Sequence, residues 1–216
     1  DATVDGDTVA ANTAVEYLAT AAADAQLDTT GTAYSILNVE SVVGTGQADY
    51  IIANGSGSTI DGGAGNDTII AGAGQDTLKG GANNDTFVFG IGTSGLTTAT
   101  IDKITDFAKA DDSLKTGEAG SVTGTAINFA EVTAAKYDTI TDVITAANTS
   151  LLATVTAGTA ATQAYAYILV TGDADDFNTT NTAYVAIDND HNGVVDQLIE
   201  IVGGVASGVT AADFIA

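Results

Sequence analysis

The sequence predicts an all-β-dominated fold: a parallel β-roll, with a short helical cap before it and an antiparallel β/helix segment after it. Three observations carry that expectation. A nine-residue unit repeats five times without a break between Gly44 and Val88, and every copy has an apolar residue at its eighth place. The units are rich in glycine and most carry one aspartate. After them, apolar and polar residues alternate in short runs separated by polar turns. A fixed short period of this kind is the signature of a coil that stacks one supersecondary unit upon the next.

The first element, Thr8 to Leu27, is alanine-rich and places Val9, Val15, Leu18, Ala22 and Ala25 at near-helical spacing. It reads as a short helix covering one open end of the coil, within a cap spanning residues 1–43. Tyr34, Ile36, Val39 and Val42 then lead into the first winding as strand.

The roll proper occupies residues 44–90. Its clearest units are GGAGNDTII from Gly62, AGAGQDTLK from Ala71 and GGANNDTFV from Gly80, preceded by GTGQADYII from Gly44 and ANGSGSTID from Ala53. Six residues of each unit turn and three run as strand. Ile51, Ile60, Ile69, Leu78 and Phe87 point inward and stack as a narrow core, while Thr68, Thr77 and Thr86 face outward on strand positions that suit β-branched residues. A flexible glycine–aspartate linker would show no such phase.

The turns have the composition of a calcium site. Ca²⁺ takes six to eight hard oxygen ligands, and a glycine-rich turn offers unobstructed carbonyls beside a carboxylate. Asp49, Asp67, Asp76 and Asp85 hold the sixth place, and Gly44, Gly62, Gly63, Gly65, Gly72, Gly74, Gly80 and Gly81 shape the turns around them. One unit makes half a winding, so turns two units apart stack. Ions are expected between the turns at Gly62 and Gly80, at Ala53 and Ala71, and at Gly44 and Gly62. The second pair lacks one carboxylate, because Ser58 replaces aspartate.

Residues 91–216 read as a C-terminal capping region. Ile91 to Thr100 reads as loop or edge strand. In IDKITDF, Ile101, Ile104 and Phe107 cover the far end of the roll while Asp102 and Asp106 face solvent or metal. Ile140, Val143, Ile144, Ala147 and Leu151 form one helical stripe, which predicts a helix over Asp138 to Leu152. Tyr165–Val170, Ala183–Ile187 and Gln197–Val202 read as strands. Between the last two, DNDHNGVVD sets Asp188, Asp190, Asn192 and Asp196 at the first, third, fifth and ninth places of a calcium loop, with Gly193 at the sharp bend. Ile199 stands where such a loop needs a bidentate glutamate, so Glu200 would have to substitute. A plain aspartate–asparagine–glycine hairpin explains the same residues.

Composition excludes several partners. The 216 residues carry 28 acids against 5 bases, a net charge of −23, and the bases are all lysine. Without arginine forks and with this field, neither nucleic acid nor an anionic membrane is a partner, whereas cations are drawn in. No apolar run reaches membrane-spanning length. Cysteine is absent, so rigidity outside the cell must come from something other than disulfides, and bound metal supplies it.

These repeats resemble the RTX (repeats-in-toxin) proteins exported by Gram-negative bacteria through type I secretion. Their pattern, glycine-glycine-any-glycine-any-aspartate-any-apolar-any, is met in full by Gly62 to Ile70 and with one substitution each from Ala71 and from Gly80. IDKITDF is similar to the stretch that follows the repeats in serralysin-type domains. Tyr184 to Val202 resembles the last hairpin of many members, and Asp213-Phe214-Ile215-Ala216 their uncleaved export terminus. The resemblance implies a right-handed roll that winds on Ca²⁺ outside the cell, at the cell surface or beyond. A structural, surface-layer-like or matrix role with self-association into a lattice or filament is expected. The alternative is the secretion and folding module of a hydrolase or adhesin whose working domain lies upstream.

The chain itself is read as non-enzymatic. It has a single histidine, His191, no HExxH zinc signature, no GxSxG elbow and no cysteine nucleophile. Asp111 and Asp112 read as a solvated pair.

Overall fold

The structure is a computed structural model; it describes residues 2–4, 7–9, 15–16, 41–108, 111–116, 129–135, 139–156, 165–170, 182–190, 192–202 and 213–215. A hairpin pairs β1 (Ala2–Val4) with β2 (Asp7–Val9), and β3 (Val15–Glu16) follows. The roll strands are β4 (Ser41–Thr45), β5 (Tyr50–Ile52), β6 (Thr59–Ala64), β7 (Thr68–Ile70), β8 (Thr77–Ala82) and β9 (Thr86–Val88). Beyond them lie β10 (Asp102–Ile104), β11 (Ser113–Lys115), β12 (Phe129–Ala135), α1 (Ile140–Thr156), β13 (Tyr165–Val170), β14 (Thr182–Ile187), β15 (Gln197–Ile201) and β16 (Phe214–Ile215).

Successive roll strands alternate between two sheets, as half-windings must. One sheet runs β3-β4-β6-β8-β10-β15-β14-β13-β12, the other β5-β7-β9-β11-β16. The roll ladders are parallel and in register, so the eighth places stack as two columns. Val42, Ile60, Leu78, Ile104 and Ile201 form the first column; Ile51, Ile69, Phe87, Leu114 and Phe214 form the second. Ile60, Ile69, Leu78, Phe87, Ile104 and Leu114 are fully buried, each contributing about 1.5–3 kcal/mol by leaving water. The narrow apolar core read from the repeat is therefore present, with Ile51 half-buried at its end.

The winding continues past the last clear repeat. β10 pairs in parallel with β8, and β11 with β9, so Ile104 and Leu114 occupy eighth places of two further half-windings. Residues 91–100 are turns and bends between them. β16 then adds to β11 in parallel, which sets Phe214 of the acidic-then-apolar terminus in register beside Leu114.

The sheet turns antiparallel at β15-β14-β13 and thereby closes one end of the roll. β14 is two-faced: Ala183, Val185 and Ile187 pack on the roll core, while Tyr184 and Ala186 face α1. Val143, Ala147 and Leu151 of α1 are buried there, as the helical stripe predicts. Thr139 begins the helix with a capping box: its backbone N–H donates to Asp142 Oδ2 at 3.0 Å, and the Asp142 N–H donates to Thr139 Oγ1 at 3.3 Å.

Four expectations change. The N-terminal helix over Thr8–Leu27 falls largely outside the described residues, and its described parts, in β2 and β3, are strand. Val15 and Glu16 pair in parallel with Val42 and Val43, so an open ladder edge overrides helical spacing there. Of the two places read for Asp102, solvent or metal, solvent is excluded, because the residue is fully buried. Asp111 is exposed, yet Asp112 beside it is buried, so the two are not a solvated pair. Glu200 is bound to Lys103 Nζ at 2.9 Å rather than turned to the 188–196 loop, and Ile199 is core.

Candidate metal centre

The sixth-place side chains form two carboxylate columns, one along each edge where the roll turns. In the first, the Asp49 N–H donates to Asp67 Oδ1 at 2.8 Å, Asp67 N–H to Asp85 Oδ1 at 2.9 Å, and Asp85 N–H to Asp112 Oδ1 at 2.9 Å. In the second, Ser58 N–H donates to Asp76 Oδ1 at 2.6 Å and Asp76 N–H to Asp102 Oδ1 at 2.8 Å. Asp102 N–H in turn donates to Ser94 Oγ at 2.8 Å, and the Ser94 hydroxyl donates to the Leu198 carbonyl, tying the column to β15. One carboxylate oxygen per rung is thus spent on linking windings, 18 residues apart within the repeats and 26 or 27 at the last rungs.

The other oxygen separates two kinds of turn. In four turns it accepts the backbone N–H of the second residue of its own turn, or a serine oxygen does so in its place. The pairs are Thr45 with Asp49 Oδ2 (2.6 Å), Gly72 with Asp76 Oδ2 (2.8 Å), Ala108 with Asp112 Oδ2 (2.7 Å) and Asn54 with Ser58 Oγ (3.0 Å). In the turns from Gly62 and Gly80 this closure is missing, and the buried Oδ2 atoms of Asp67 and Asp85 have no hydrogen-bond partner. The second residues there, Gly63 and Gly81, have φ of +102° and +105°, a path glycine takes without a Cβ clash. Gly81 N–H, with Gly80 N–H, donates to the Asp106 carboxylate instead, at 2.8 and 2.9 Å. Asn83 fills the fourth place of the Gly80 unit at φ +84°, which asparagine tolerates, so that turn keeps its shape without its glycine.

Acceptors converge without a donor between them. A Cβ built on Gly62 would collide with Asp67 Oδ2 and stand 2.6 Å from the Gly80 carbonyl oxygen; one on Gly44 would meet the Gly62 carbonyl and lie 2.8 Å from Asp49 Oδ2. Carboxylate and carbonyl oxygens thus crowd one small space between the stacked turns at Gly62 and Gly80; between Gly44 and Gly62 the crowding is similar, but Asp49 Oδ2 already accepts the Thr45 N–H and hydroxyl and its Oδ1 is the unpartnered atom. Burying such acceptors unpaired costs on the order of 1–3 kcal/mol for each group. A hard cation with flexible coordination satisfies them, so the residues fit Ca²⁺.

Their electrostatics agree. Asp67 is pushed up from 3.8 to about 6, chiefly by loss of solvent and further by Asp85, Asp49 and Asp61. Desolvation lifts Asp112 to about 6 and Asp102 to about 7, and raises Asp76 and Asp85 as well. A divalent ion would reverse the charge penalty that these shifts record.

At the turns from Ala53 and Ala71 the geometry differs. Both Asp76 oxygens accept backbone amides, and Gly72 is pressed against the Asn54 carbonyl. Gly74 adopts φ +91° and a Cβ there would lie 2.6 Å from Gly57 N. One step on, the Gln75 side-chain N–H₂ donates to the carbonyls of Thr98 (2.6 Å) and Ile101 (3.1 Å), so a neutral amide bridges the Ala71 turn to the winding that follows. Gly65, at φ +129°, packs on the Gln47–Ala48 peptide.

The structure gathers Asp188, Asp190 and Asp196 with ligand atoms within 4.8 Å of one another. Asp188 is buried and accepts the N–H groups of Gly193 (2.7 Å) and Asn192 (3.1 Å), while burial raises its pKa. Asn192 Oδ1 accepts the Val194 N–H, Asp190 accepts the Asn192 side-chain amide, and Asp196 accepts the Asn189 N–H at 2.8 Å. His191 lies outside the described residues.

Asp112 is a rung that the sequence reading did not include, and Asp102, read there as facing solvent or metal, is another. Their signal was Asp-Lys-Ile and Asp-Ser-Leu, which repeat places six to eight of the unit after an insertion.

The model for the RTX calcium-binding nonapeptide repeat, four copies long, matches residues 43–78, 52–87 and 61–94, the same windings whose carboxylates form the columns. This segment is a set of RTX calcium-binding repeats. Among solved structures, the chain is similar to the AlgE6R3 subunit of the Azotobacter vinelandii mannuronan C5-epimerase, at 21% identity and a TM-score of 0.50, over 89% of this chain and 86% of that one. It also aligns with the AlgE6R2 subunit of the same enzyme, at 19% identity and a TM-score of 0.39, over 80% and 89%. The first likeness shows a shared β-roll fold. No curated protein matches the chain.

Proposed function

We propose that this chain is a calcium-dependent structural module of a secreted, self-assembling cell-surface or matrix protein, wound into its final form when it meets Ca²⁺ outside the cell. The observation that carries the reading is the pair of buried, unpartnered carboxylate oxygens on Asp67 and Asp85, set against convergent carbonyls in consecutive turns of one column. Asp67, Asp85 and the carbonyls of the Gly62 and Gly80 turns would hold one ion, and Asp49 with the Gly44 and Gly62 turns another. Asp76 with the Ala71 turn contributes less, its oxygens being taken by amides. Asp188, Asp190, Asn192 and Asp196 form a further candidate in the closing hairpin.

Bound Ca²⁺ supplies the positive charge that these oxygens lack. Without it, stacked aspartates in a chain of net charge −23 repel one another, which keeps the chain unwound during passage through a type I export machinery. Outside, millimolar Ca²⁺ stabilises only the wound form by mass action. The test is circular dichroism with and without chelator, followed by microscopy of the calcium-loaded chain. Strand signal and ordered sheets or filaments that both require Ca²⁺ are expected; a spectrum and melting curve indifferent to chelator would sink the reading.

A second reading has one supporting observation: AlgE6R3, whose fold the chain shares, is a subunit of an enzyme. On that reading the module serves an upstream hydrolase or adhesin, and the full open reading frame decides.

A further inference from the structure

The two outer faces of the roll differ in charge. The strands of the nine-stranded sheet carry Asp61 bound to Lys79 at 2.7 Å and Lys103 bound to Glu200 at 2.9 Å. The strands of the five-stranded sheet read YII, TII, TFV, SLK and FI, without one acid. Their outward places stack in register. Ile52, Ile70, Val88, Lys115 and Ile215 make one column, and Tyr50 heads the column of threonines beside it. Tyr50 is 54% exposed, Ile52 56% and Ile215 38%.

We propose that this face docks against the same face of a second copy of the chain. Charge argues for a like partner. Two molecules of net charge −23 repel over most of their surfaces, and a sheet face free of acids removes that repulsion locally. Shape agrees: in-register ladders present β-branched columns, and sheets pack face to face at about 10 Å by interdigitating such side chains. Size sets the strength. Five strands at about 4.8 Å and three residues at about 3.3 Å give roughly 240 Å² per copy. The roughly 480 Å² buried by a pair falls below the 1,200–2,000 Å² of stable interfaces, in the range of a weak contact. Weak contacts of this kind hold when many copies are tethered side by side, as in a lattice. The face exists only once the roll is wound, so docking requires Ca²⁺.

This inference rests on the self-assembly reading and deepens it by naming the surface. The experiment is sedimentation equilibrium of the calcium-loaded full chain over a wide concentration range. The wild type is compared with Ile52→Asp and Tyr50→Asp on this face and with Thr59→Asp on the exposed opposite face. All three add the same charge at exposed positions, and circular dichroism in Ca²⁺ checks that each is wound. The apparent mass of the wild type and Thr59→Asp should rise with concentration, while both face variants stay at monomer mass. Association of the face variants equal to wild type would overturn this surface and leave self-assembly standing. A wild type that stays monomeric throughout would overturn both.

Discussion

The turns from Gly62 and Gly80 and the turns from Ala53 and Ala71 descend from the same unit, yet they handle their carboxylates in opposite ways. In the first pair, positive φ at the second glycine leaves Oδ2 of Asp67 and Asp85 buried with no partner. In the second, amides of the same turn close on Asp76 and Ser58. The turns from Gly62 and Gly80 therefore leave carboxylate oxygens for a cation, while those from Ala53 and Ala71 spend their side-chain oxygens on backbone hydrogen bonds. The difference teaches that an aspartate at the sixth place does not by itself make a strong site. The path of the two residues that open the turn decides whether its oxygen is left for metal.

Removing that path should have the largest effect. In Gly81→Ala, the new methyl would run into the Gly63 carbonyl at a φ that L side chains rarely adopt. The roll should fail to wind even at saturating Ca²⁺, read as lost strand signal in circular dichroism.

Exchanging single carboxylates should then split the two edges. Asp67→Ala removes Oδ2, which has no protein partner, and orphans one amide, that of Asp49, so beyond a loss of about 1 kcal/mol at every calcium concentration the calcium midpoint of folding should rise by about tenfold, equivalent to about 1.4 kcal/mol. Asp85→Ala should behave alike. Asp76→Ala instead orphans the amides of Ser58 and Gly72, and should lower stability by about 2 kcal/mol at every calcium concentration. Calcium titrations followed by thermal melts measure both. Equal shifts in calcium midpoint for Asp67→Ala and Asp76→Ala would erase the distinction between the edges.

Acid should partly stand in for metal. Asp67 and Asp102 have folded-state values of about 6 and about 7, above the ordinary 3.8, so the wound form binds more protons than the unwound one between these limits. The sign follows: their contribution to metal-free stability is greatest below pH 3.8 and is lost as pH rises through about 7. In chelator, strand signal should grow as pH falls across that window, and the calcium requirement should rise because protons compete. A metal-free chain that loses order on acidification from neutral pH would contradict this.

Much of this was legible in the sequence, for identifiable reasons. The repeat phase shows because only one place in nine must be apolar, and Ile60, Ile69, Leu78 and Phe87 are buried as that phase requires. The stripe through Val143, Ala147 and Leu151 gave the helix, because one face alone touches the β14 side of the sheet. The two further windings were hidden: the rung from Asp76 to Asp102 spans 26 residues instead of 18, which breaks the period without breaking the ladder. The strand at Val15–Glu16 was hidden for another reason, since pairing with Val42 and Val43 is a non-local choice that alanine-rich spacing does not encode, whereas Asp7–Val9 pairs locally with Ala2–Val4. Open and closed turns were half visible. Double glycine marks the open ones, but Gly72 follows Ala71 and closes, so the glycine count alone misleads.

The smallest effect concerns the joint that the Gln75 amide makes between the Ala71 turn and the next winding. Gln75 holds the carbonyls of Thr98 and Ile101 with one side-chain nitrogen, in a partly exposed position between the Ala71 turn and the winding that follows the insertion. Gln75→Ala should cost about 1 kcal/mol, the net worth of ordinary hydrogen bonds, with no change in calcium midpoint. Gln75→Asp is the sharper variant. It withdraws the donor and adds an acceptor near the unpartnered Oδ2 of Asp102 and the two freed carbonyls, so the joint would repel itself unless a cation entered. Isothermal titration should then find one more calcium ion per chain than in the wild type, and weaker melting in chelator. If Gln75→Asp binds no additional ion and melts as wild type, the amide is not standing in a cation's place, and the second edge differs from the first by more than the closure of its turns.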